Sequence, residues 1–229
     1  MILLNRRRTM GIMNGNLFDW SGLIDGSISG DIVVPDGITL LRDYCFNACR
    51  EITGITLPEG LTSIGAYACA NLRTAGTLNN DPFDIELPST VTKLGNSCFT
   101  YAPITRMVIP AGVTAIPATC FTNCRILEEV VIQGSVTVLS SQCFQACYKL
   151  RSITIPASVK NIYAYAFANC HSLESITILA TTPPTLSNAN ALNDTNNCPI
   201  YVPAESVEAY KAANIWSQFA SRIQAIPTT

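Results

Sequence analysis

The sequence contains ten cysteines, the residues of this chain with the clearest capacity for chemistry. Six of them form three C-x3-C pairs: Cys45/Cys49, Cys120/Cys124 and Cys143/Cys147. Thiolates bind zinc where four ligands converge, and two thiols form a disulfide where their Cα atoms lie within about 7 Å. The spacing therefore raises two hypotheses, a metal centre and a ladder of disulfides.

Aligning the chain with itself places eight of the cysteines in two columns. The first column holds Cys45, Ala68, Cys98, Cys120, Cys143 and Ala166, and the second holds Cys49, Leu72, Ala102, Cys124, Cys147 and Cys170. Because apolar residues alternate with cysteine there, and free cysteine packs as a small hydrophobe, we predict buried structural thiols and no metal ligands. A disulfide between vertical neighbours such as Cys120 and Cys143 stays open, since stacked strands lie about 5 Å apart. Cys69 and Cys198 lie outside both columns.

The other chemistry-bearing residues form no catalytic pattern. His171 is the only histidine, and the repeat places no acidic or nucleophilic partner beside it. The sequence has no G-x-S-x-G, no glycine-rich phosphate loop and no H-E-x-x-H, which are short motifs with known catalytic mechanics. We therefore predict a non-enzymatic protein with no catalytic residues, no metal and no cofactor.

The elements that carry these residues repeat at a nearly constant interval. A dipeptide that ends each apolar triplet recurs at Val34-Pro35, Leu57-Pro58, Leu87-Pro88, Ile109-Pro110, Ile132-Gln133, Ile155-Pro156 and Ile178-Leu179. The intervals are 23, 30, 22, 23, 23 and 23 residues, in the range of leucine-rich repeats, which have one strand each. The long interval contains residues 76–82, rich in turn formers, and is predicted to form a loop.

Apolar residues recur at fixed places in every repeat. Three columns are Ile38, Leu61, Val91, Val113, Val136 and Val159; then Leu41, Ile64, Leu94, Ile116, Leu139 and Ile162; then Phe46, Cys69, Phe99, Phe121, Phe144 and Phe167. Alternation along the strands predicts that pairs such as Ile153 and Ile155 point inward. The residues between them are predicted to point outward: Val33, Thr56, Glu86, Val108, Val131, Thr154 and Thr177.

A single repeat of this kind cannot bury its own inner face, so the repeats must stack. We predict an α/β, strand-rich fold: a leucine-rich-repeat solenoid of six repeats of about 23 residues, with a parallel strand ladder and capped ends. The run from Ala164 to Asn169 indicates a single helical or 3₁₀ turn on the side away from the strands.

Residues 150–170 carry a resemblance to a known family. They read Leu-Arg-Ser-Ile-Thr-Ile-Pro-Ala-Ser-Val-Lys-Asn-Ile-Tyr-Ala-Tyr-Ala-Phe-Ala-Asn-Cys, and they resemble the BspA-like leucine-rich repeat, whose pattern is L-x-x-I-x-I-P-x-S-V-x-x-I-x-x-x-A-F-x-x-C. Roughly residues 31–179 match. The segment from Cys198 to Ala213, with Trp216 and Phe219, is similar to the end segment that often closes this family's arrays. The resemblance implies adhesion or protein interaction, typically at a bacterial surface.

Composition excludes several classes of partner. The chain is 48% hydrophobic and 13% charged with a formal charge of −2, which opposes disorder and gives no drive toward nucleic acid. No stretch reaches the 18 or more apolar residues of a membrane helix, so no membrane insertion is expected. The first apolar residues precede the arginines, which is the wrong order for a Sec-type signal.

We predict three segments. Residues 1–19 form an N-terminal arm for attachment or oligomer contact, residues 20–179 form the solenoid with its N-terminal cap, and residues 180–229 form a C-terminal cap with a strand and a helix. In the arm, Arg6, Arg7, Arg8 and Met10 belong to an Arg-Arg-Arg-x-Met-Gly sequence. It resembles short leaders on proteins of phages and mobile elements from gut bacteria.

Two surface stripes are candidates for binding. One follows the second cysteine column and consists of Arg50, Arg73, Arg125, Tyr148 and His171, interrupted at Ala102-Pro103. Arginine and tyrosine suit recognition because they combine donors with flat contact area, although a plain solvated ridge has the same pattern. The other lies on the strand face, where Asp84, Glu86 and Glu129 oppose Arg106 and form either an acidic recognition patch or solubilising charge.

These features favour a non-catalytic binding or adhesion protein with a protein or surface-glycan partner. The arm favours a phage virion appendage or decoration protein that contacts virion proteins through residues 1–19 and is compatible with an oligomer. A bacterial cell-surface adhesin is the first alternative, and a cytosolic interaction scaffold is the second. The expected location is therefore a virion or the extracellular surface, with the cytoplasm left open.

Overall fold

A computed structural model describes the backbone at residues 12–13 and 16–17 and the chain at residues 29–72 and 85–228. The predicted loop at 76–82 lies outside these ranges, as do Arg6, Arg7, Arg8, Met10, Arg73 and Asp84. The described chain winds through successive turns that each contain a longer strand, a short strand and a run of tight turns. This is the strand-rich leucine-rich-repeat solenoid that the column pattern predicts.

The longer strands form parallel ladders along one face. They are β3 (Ser29–Val33), β5 (Glu51–Thr56), β8 (Arg106–Ile109), β10 (Glu129–Ile132), β12 (Ser152–Ile155), β14 (Ser175–Ile178), β16 (Ile200–Val202) and β17 (Ile223–Ala225). β3 pairs with β5, and β8 to β17 pair in chain order as a six-stranded sheet. In this sheet Ile153 lies beside Val130 on one side and Ile176 on the other, so equivalent residues stack directly.

The short strands form a second pair of ladders. They are β4 (Leu40–Leu41), β6 (Ser63–Ile64), β7 (Lys93–Leu94), β9 (Ala115–Ile116), β11 (Val138–Leu139), β13 (Asn161–Ile162) and β15 (Thr185–Leu186). Within the predicted arm, β1 (Ile12–Met13) and β2 (Asn16–Leu17) form an antiparallel pair, and β2 continues the ladder by pairing with β4.

Both ladders are interrupted near residues 85–94. Residues 85–88 occupy the place of a longer strand but do not belong to one, and β7 does not pair with β9. Ile85 is nevertheless buried and Leu87 packs against the core. The strand expected there is therefore absent from the described chain, while its inward side chains lie where the alternation predicts.

The core is a continuous apolar column. All three predicted apolar columns are buried, and the predicted outward residues of the strands are exposed or half-buried. Four phenylalanines stack along the axis, and the ring centroids of Phe99 and Phe121 lie 5.4 Å apart, those of Phe121 and Phe144 5.3 Å, and those of Phe144 and Phe167 5.6 Å. Because the turns stack in register, each of these phenylalanines packs directly on the phenylalanine of the next turn.

The run opposite the strands is not a helix, so the helical or 3₁₀ turn predicted at 164–169 is wrong. Tyr165 has a φ of 60° and Asn169 a φ of 62°, whereas a helix needs negative φ throughout. The left-handed residues reverse the chain locally. Successive backbone N–H groups therefore donate alternately within their own turn and to the next turn. The N–H of Ala168 donates within the turn to the carbonyl of Tyr165 (3.2 Å), and that of Phe167 donates to Ala191 in the next turn (2.9 Å).

Left-handed residues recur four positions apart in six successive turns. They are Tyr44 and Ala48, Tyr67 and Asn71, Ser97 and Tyr101, Thr119 and Asn123, Gln142 and Ala146, and Tyr165 and Asn169. Positive φ is uncommon outside glycine, and here each turn is held by hydrogen bonds to its neighbours. These bonds also cross the repeat where the strand ladders are interrupted, from Cys69 N to Cys98 O (2.8 Å) and from Phe99 N to Cys120 O (2.9 Å).

The end of the chain closes the last turn. After the 3₁₀ segment Ala189–Leu192 and β16, a 3₁₀ turn (Ala204–Ser206) leads into α1 (Val207–Ala212), followed by a 3₁₀ segment (Trp216–Phe219) and β17. Tyr210 donates from its hydroxyl to the carbonyl of Ala180 (2.8 Å), and Trp216 donates from Nε1 to that of Pro184 (2.7 Å). Arg222 donates from Nε to Cys198 O (2.8 Å).

Neighbouring turns approach each other closely at two stacked glycines, Gly65 and Gly95. A Cβ on Gly65 would lie 2.5 Å from the backbone nitrogen of Asp43 and 2.6 Å from the carbonyl carbon of Arg42. Because backbone atoms must move to relieve such overlap, we expect Gly65→Ala to lower the free energy of unfolding by about 1–3 kcal/mol or more. Urea denaturation measures this change.

Gly60 gives the matched control. Nothing lies within 4 Å of a Cβ placed on it, and its φ is not in the left-handed region. Gly60→Ala should therefore leave stability unchanged or raise it slightly, by about 0.4–1 kcal/mol. Equal losses in both variants would contradict the packing explanation.

Candidate functional site

All ten cysteines are buried thiols. The Sγ atoms of Cys98 and Cys120 lie 3.3 Å apart and share a hydrogen bond. Within residues 29–72 and 85–228, no three His, Cys, Asp or Glu side chains converge in a way that suits a metal ion. The cysteine columns therefore belong to the core, as the alternation with alanine and leucine predicts.

Thiols of the second column also bind the backbone. Cys124 donates to the carbonyl of Phe99 (3.1 Å), Cys147 to that of Phe121 (3.3 Å) and Cys170 to that of Phe144 (3.1 Å). Each thiol thus joins its own turn to the turn before it. This explains why cysteine, an apolar side chain that still carries a weak donor, suits this column in three consecutive repeats.

Burial raises the pKa of several cysteine thiols, to about 11 at Cys49 and well above the usual range at Cys69, Cys120 and Cys147. The folded state then holds its thiol protons more tightly than the unfolded state. The resulting contribution to stability is complete below pH 9 and is lost as the pH rises through about 11 for Cys49. We expect urea midpoints that fall steeply above pH 9.

The same burial predicts slow reaction of the thiols with a small thiol reagent in the native protein, because the thiolate is the reactive form. After unfolding without reductant, all ten cysteines should react. Fewer than ten reactive thiols would show that disulfides form, and the pair to map first by mass spectrometry would be Cys98 and Cys120.

Three residues of the predicted stripe form an ordered stack on the surface. The guanidinium carbon of Arg125 lies 5.6 Å from the centroid of the Tyr148 ring. The rings of Tyr148 and His171 are 5.5 Å apart and within 9° of parallel. Arg125 and His171 are exposed and Tyr148 is half-buried. We call Arg125, Tyr148 and His171 the exposed stack.

The core beneath the exposed stack fixes its spacing. Each of the three residues directly follows a buried cysteine of the second column, and those cysteines are joined to the preceding turns through the phenylalanine carbonyls. Surface side chains normally lose rotamer freedom when they bind, and mutual stacking reduces that loss here. The stack is therefore a preorganised surface rather than three independent side chains.

The remaining predicted residues do not join it. Arg50 is exposed in the first repeat, three repeats away from Arg125, and Pro103 interrupts the column between them. Arg73 lies outside the described residues. On the strand face, Nε of Arg106 lies 2.9 Å from Oε2 of Glu129. Since both side chains are more than half exposed, this pair contributes about 0–1 kcal/mol, and Glu86 is exposed without joining it.

A second set of aromatic residues on the surface was not predicted from the sequence. Tyr44, which is exposed, stacks on the half-buried Tyr67 with centroids 5.0 Å apart and planes within 3°, and Tyr101, Tyr163 and Tyr165 are also exposed. A signal existed, because tyrosine stands two residues before the phenylalanine column in Tyr44-Cys-Phe46 and Tyr165-Ala-Phe167. The alternation of side chains in the turns therefore predicts surface residues as well as core residues.

Comparisons with known proteins agree with this architecture. The sequence model of the BspA type leucine rich repeat region matches in six copies, over residues 25–81 and 77–191. A search among curated proteins finds no match. Among solved structures, a leucine-rich repeat protein from Bacteroides ovatus is 21% identical with a TM-score of 0.57, over 88% of this chain and 56% of that one. The T. pallidum leucine rich repeat protein is 20% identical with a TM-score of 0.57, over 86% of each chain.

The parallel ladders, the stacked apolar columns and the regular turns define the class, a leucine-rich-repeat solenoid. Because six copies of the family's repeat cover most of the sequence, the chain belongs to the BspA type leucine rich repeat family, as its repeat pattern predicts. It spans little more than half of the B. ovatus protein. No helix in the described ranges has the length and hydropathy needed to cross a membrane.

Proposed function

We propose that this protein is a non-catalytic binding or adhesion protein that presents the exposed stack to a protein or surface glycan. The observation that supports this proposal most directly is the stack itself, in which Arg125, Tyr148 and His171 lie in register on three consecutive turns. Solenoids offer long continuous surfaces for binding, and arginine and tyrosine are enriched where binding energy concentrates. Family membership supports the same class of function.

The test compares two triple variants of the full chain on arrays of extracellular proteins and purified glycans. Arg125→Ala, Tyr148→Ala and His171→Ala together remove the exposed stack. Arg106→Ala, Thr154→Ala and Thr177→Ala remove the same number of side chains from the strand face. We expect the first variant to bind the strongest array ligand at least tenfold more weakly, and the second to bind it like the wild type. The reverse result would place binding on the strand face and contradict the proposal.

We further propose that residues 1–19 attach the protein to a virion, as an appendage or decoration protein. The support is the similarity of Arg6, Arg7, Arg8 and Met10 to leaders of phage proteins. β2 (Asn16–Leu17), which lies within this segment, pairs with β4. Deleting residues 1–11 keeps both strands of the hairpin and should abolish attachment to purified particles without unfolding the solenoid.

Fractionation distinguishes this location from the alternatives. A virion protein should co-sediment with purified particles, a cell-surface adhesin should be found in the cell envelope, and a cytosolic scaffold should remain in the soluble lysate. Retention of the truncated protein on the particles would exclude residues 1–11 as the attachment segment.

A further inference from the structure

We infer that the exposed stack binds an anionic polysaccharide, which lies along the solenoid axis with its acidic groups against Arg125, Tyr148 and His171. This inference rests on the proposed binding function and names the chemical class of the partner. Three observations lead to it: the donor groups that the stack offers, the charge that surrounds it, and the distance between its members.

Tyr148 offers the edge of its ring, because both faces of that ring are in use. Arg125 covers one face of the Tyr148 ring and His171 lies against the other. An incoming ligand therefore meets the guanidinium N–H groups, the tyrosine hydroxyl and an imidazole N–H. Guanidinium has five donors and no acceptor, and it matches carboxylate and sulfate oxygens in pairs. A ligand rich in acidic oxygens suits these groups best.

The positive charge at the stack is not neutralised by neighbours. Ion pairs in the described chain include Arg106–Glu129 and Lys211–Glu208, whereas Arg125 and the adjacent, exposed Lys149 have no acidic partner among the described residues. In the same turns Glu128, Arg151 and Glu174 form a neighbouring column, joined by backbone hydrogen bonds from Arg151 N to Glu128 O (3.4 Å) and from Glu174 N to Arg151 O (2.7 Å). In a chain with a net charge of −2, Arg125 and Lys149 thus keep their positive charges available to a ligand.

The spacing of the stack disfavours an extended peptide. The guanidinium carbon of Arg125 lies 5.6 Å from the Tyr148 centroid, and the centroids of Tyr148 and His171 are 5.5 Å apart. Side chains on one face of an extended peptide recur every two residues, or about 6.6–6.8 Å, and fall out of step with this interval. A membrane surface needs a broader cluster of about 4–8 basic residues.

The experiment measures binding of the immobilised full chain to defined probes by biolayer interferometry at low salt. The acidic polysaccharides are polygalacturonate and heparin, one with carboxylates and one with sulfates. Dextran is the neutral polysaccharide, poly-glutamate the acidic peptide, and phosphatidylserine vesicles the anionic lipid. We expect one of the two acidic polysaccharides to bind, with affinity that falls as salt increases, and dextran, poly-glutamate and vesicles to bind at least tenfold more weakly.

Single variants connect that binding to the stack. Arg125→Ala and Tyr148→Ala should each weaken polysaccharide binding about tenfold, whereas Arg106→Ala, which removes an equal charge from the strand face, should leave it unchanged. Binding of neither acidic polysaccharide, or equal binding in Arg125→Ala, overturns the inference. If poly-glutamate or vesicles instead bind in a manner that requires Arg125, the ligand class is wrong while the proposed function stands. If the array ligand also ignores the triple variant, the proposed function fails as well.

Discussion

Replacing Phe121 with alanine is expected to lower the free energy of unfolding by about 3–5 kcal/mol. Phe121 is fully buried, and its ring lies between those of Phe99 and Phe144 at 5.4 and 5.3 Å. The cavity cannot close easily, because the backbone on both sides is fixed by hydrogen bonds, such as Phe121 N to Cys143 O (2.8 Å). Two stacking contacts are lost for one side chain.

Urea denaturation followed by circular dichroism measures the loss, and Tyr163→Ala is the control. Tyr163 is 43% exposed and lies in the turns of another repeat, so its removal should change stability by about 0.5 kcal/mol or less. A loss below about 1 kcal/mol for Phe121→Ala would mean that neighbouring residues fill the cavity, and that the aromatic ladder is not a main source of stability.

The core of this fold could be predicted because its period is visible in the sequence. Columns such as Phe99, Phe121 and Phe144 and the alternation of Ile153, Thr154 and Ile155 follow from stacking one turn on the next, and the structure buries or exposes them as expected. The cysteines were predictable for the same reason, since Ala68 and Ala166 share their column and report a small apolar site.

The conformation of the turns could not be predicted in this way. Tyr44, Thr119 and Gln142 share a left-handed backbone although they share no side-chain property that favours it. Hydrogen bonds between turns select this conformation, and such bonds depend on neighbours that exist only after stacking. Single-residue propensities therefore favour a helix at 164–169, but the hydrogen bonds between turns determine the conformation there.

The interrupted ladder at 85–88 illustrates a second limit. Ile85-Glu86-Leu87 has the same alternation as the other strands, and its side chains follow it. Pairing, however, requires both neighbouring turns to present their backbones at the right height. Side-chain patterns report which way residues point but not whether adjacent backbones meet.

The candidate site was predictable as a column and not as a stack. Alignment placed Arg125, Tyr148 and His171 in one register, but the same column contained Arg50, which stays apart. What distinguishes the three is continuity, since they follow Cys124, Cys147 and Cys170 in adjacent turns whose thiols all bond to the turn before. Only the structure shows that the guanidinium and the two rings lie face to face.

Replacing Trp216 with alanine is the second change with a large expected effect. Trp216 is 1% exposed, meets Tyr210 edge-on at 5.4 Å, and donates from Nε1 to the carbonyl of Pro184 at 2.7 Å. Truncation creates a cavity and leaves a buried carbonyl without its donor, so we expect a loss of about 3–5 kcal/mol. Gln218→Ala, an exposed position in the same 3₁₀ segment, is the control and should change stability little.

The location of the loss separates a capping role from a general contribution to the core. Each turn of a solenoid contacts only its neighbours, so removing Trp216 should free the end of the array first. Hydrogen exchange should then accelerate in β15, α1 and β17 while β8 and β10 keep their protection. Uniform acceleration along the chain would contradict a local cap. Because an uncapped end exposes apolar core and unpaired strand edges, the variant should also aggregate at lower protein concentration than Gln218→Ala, which light scattering detects.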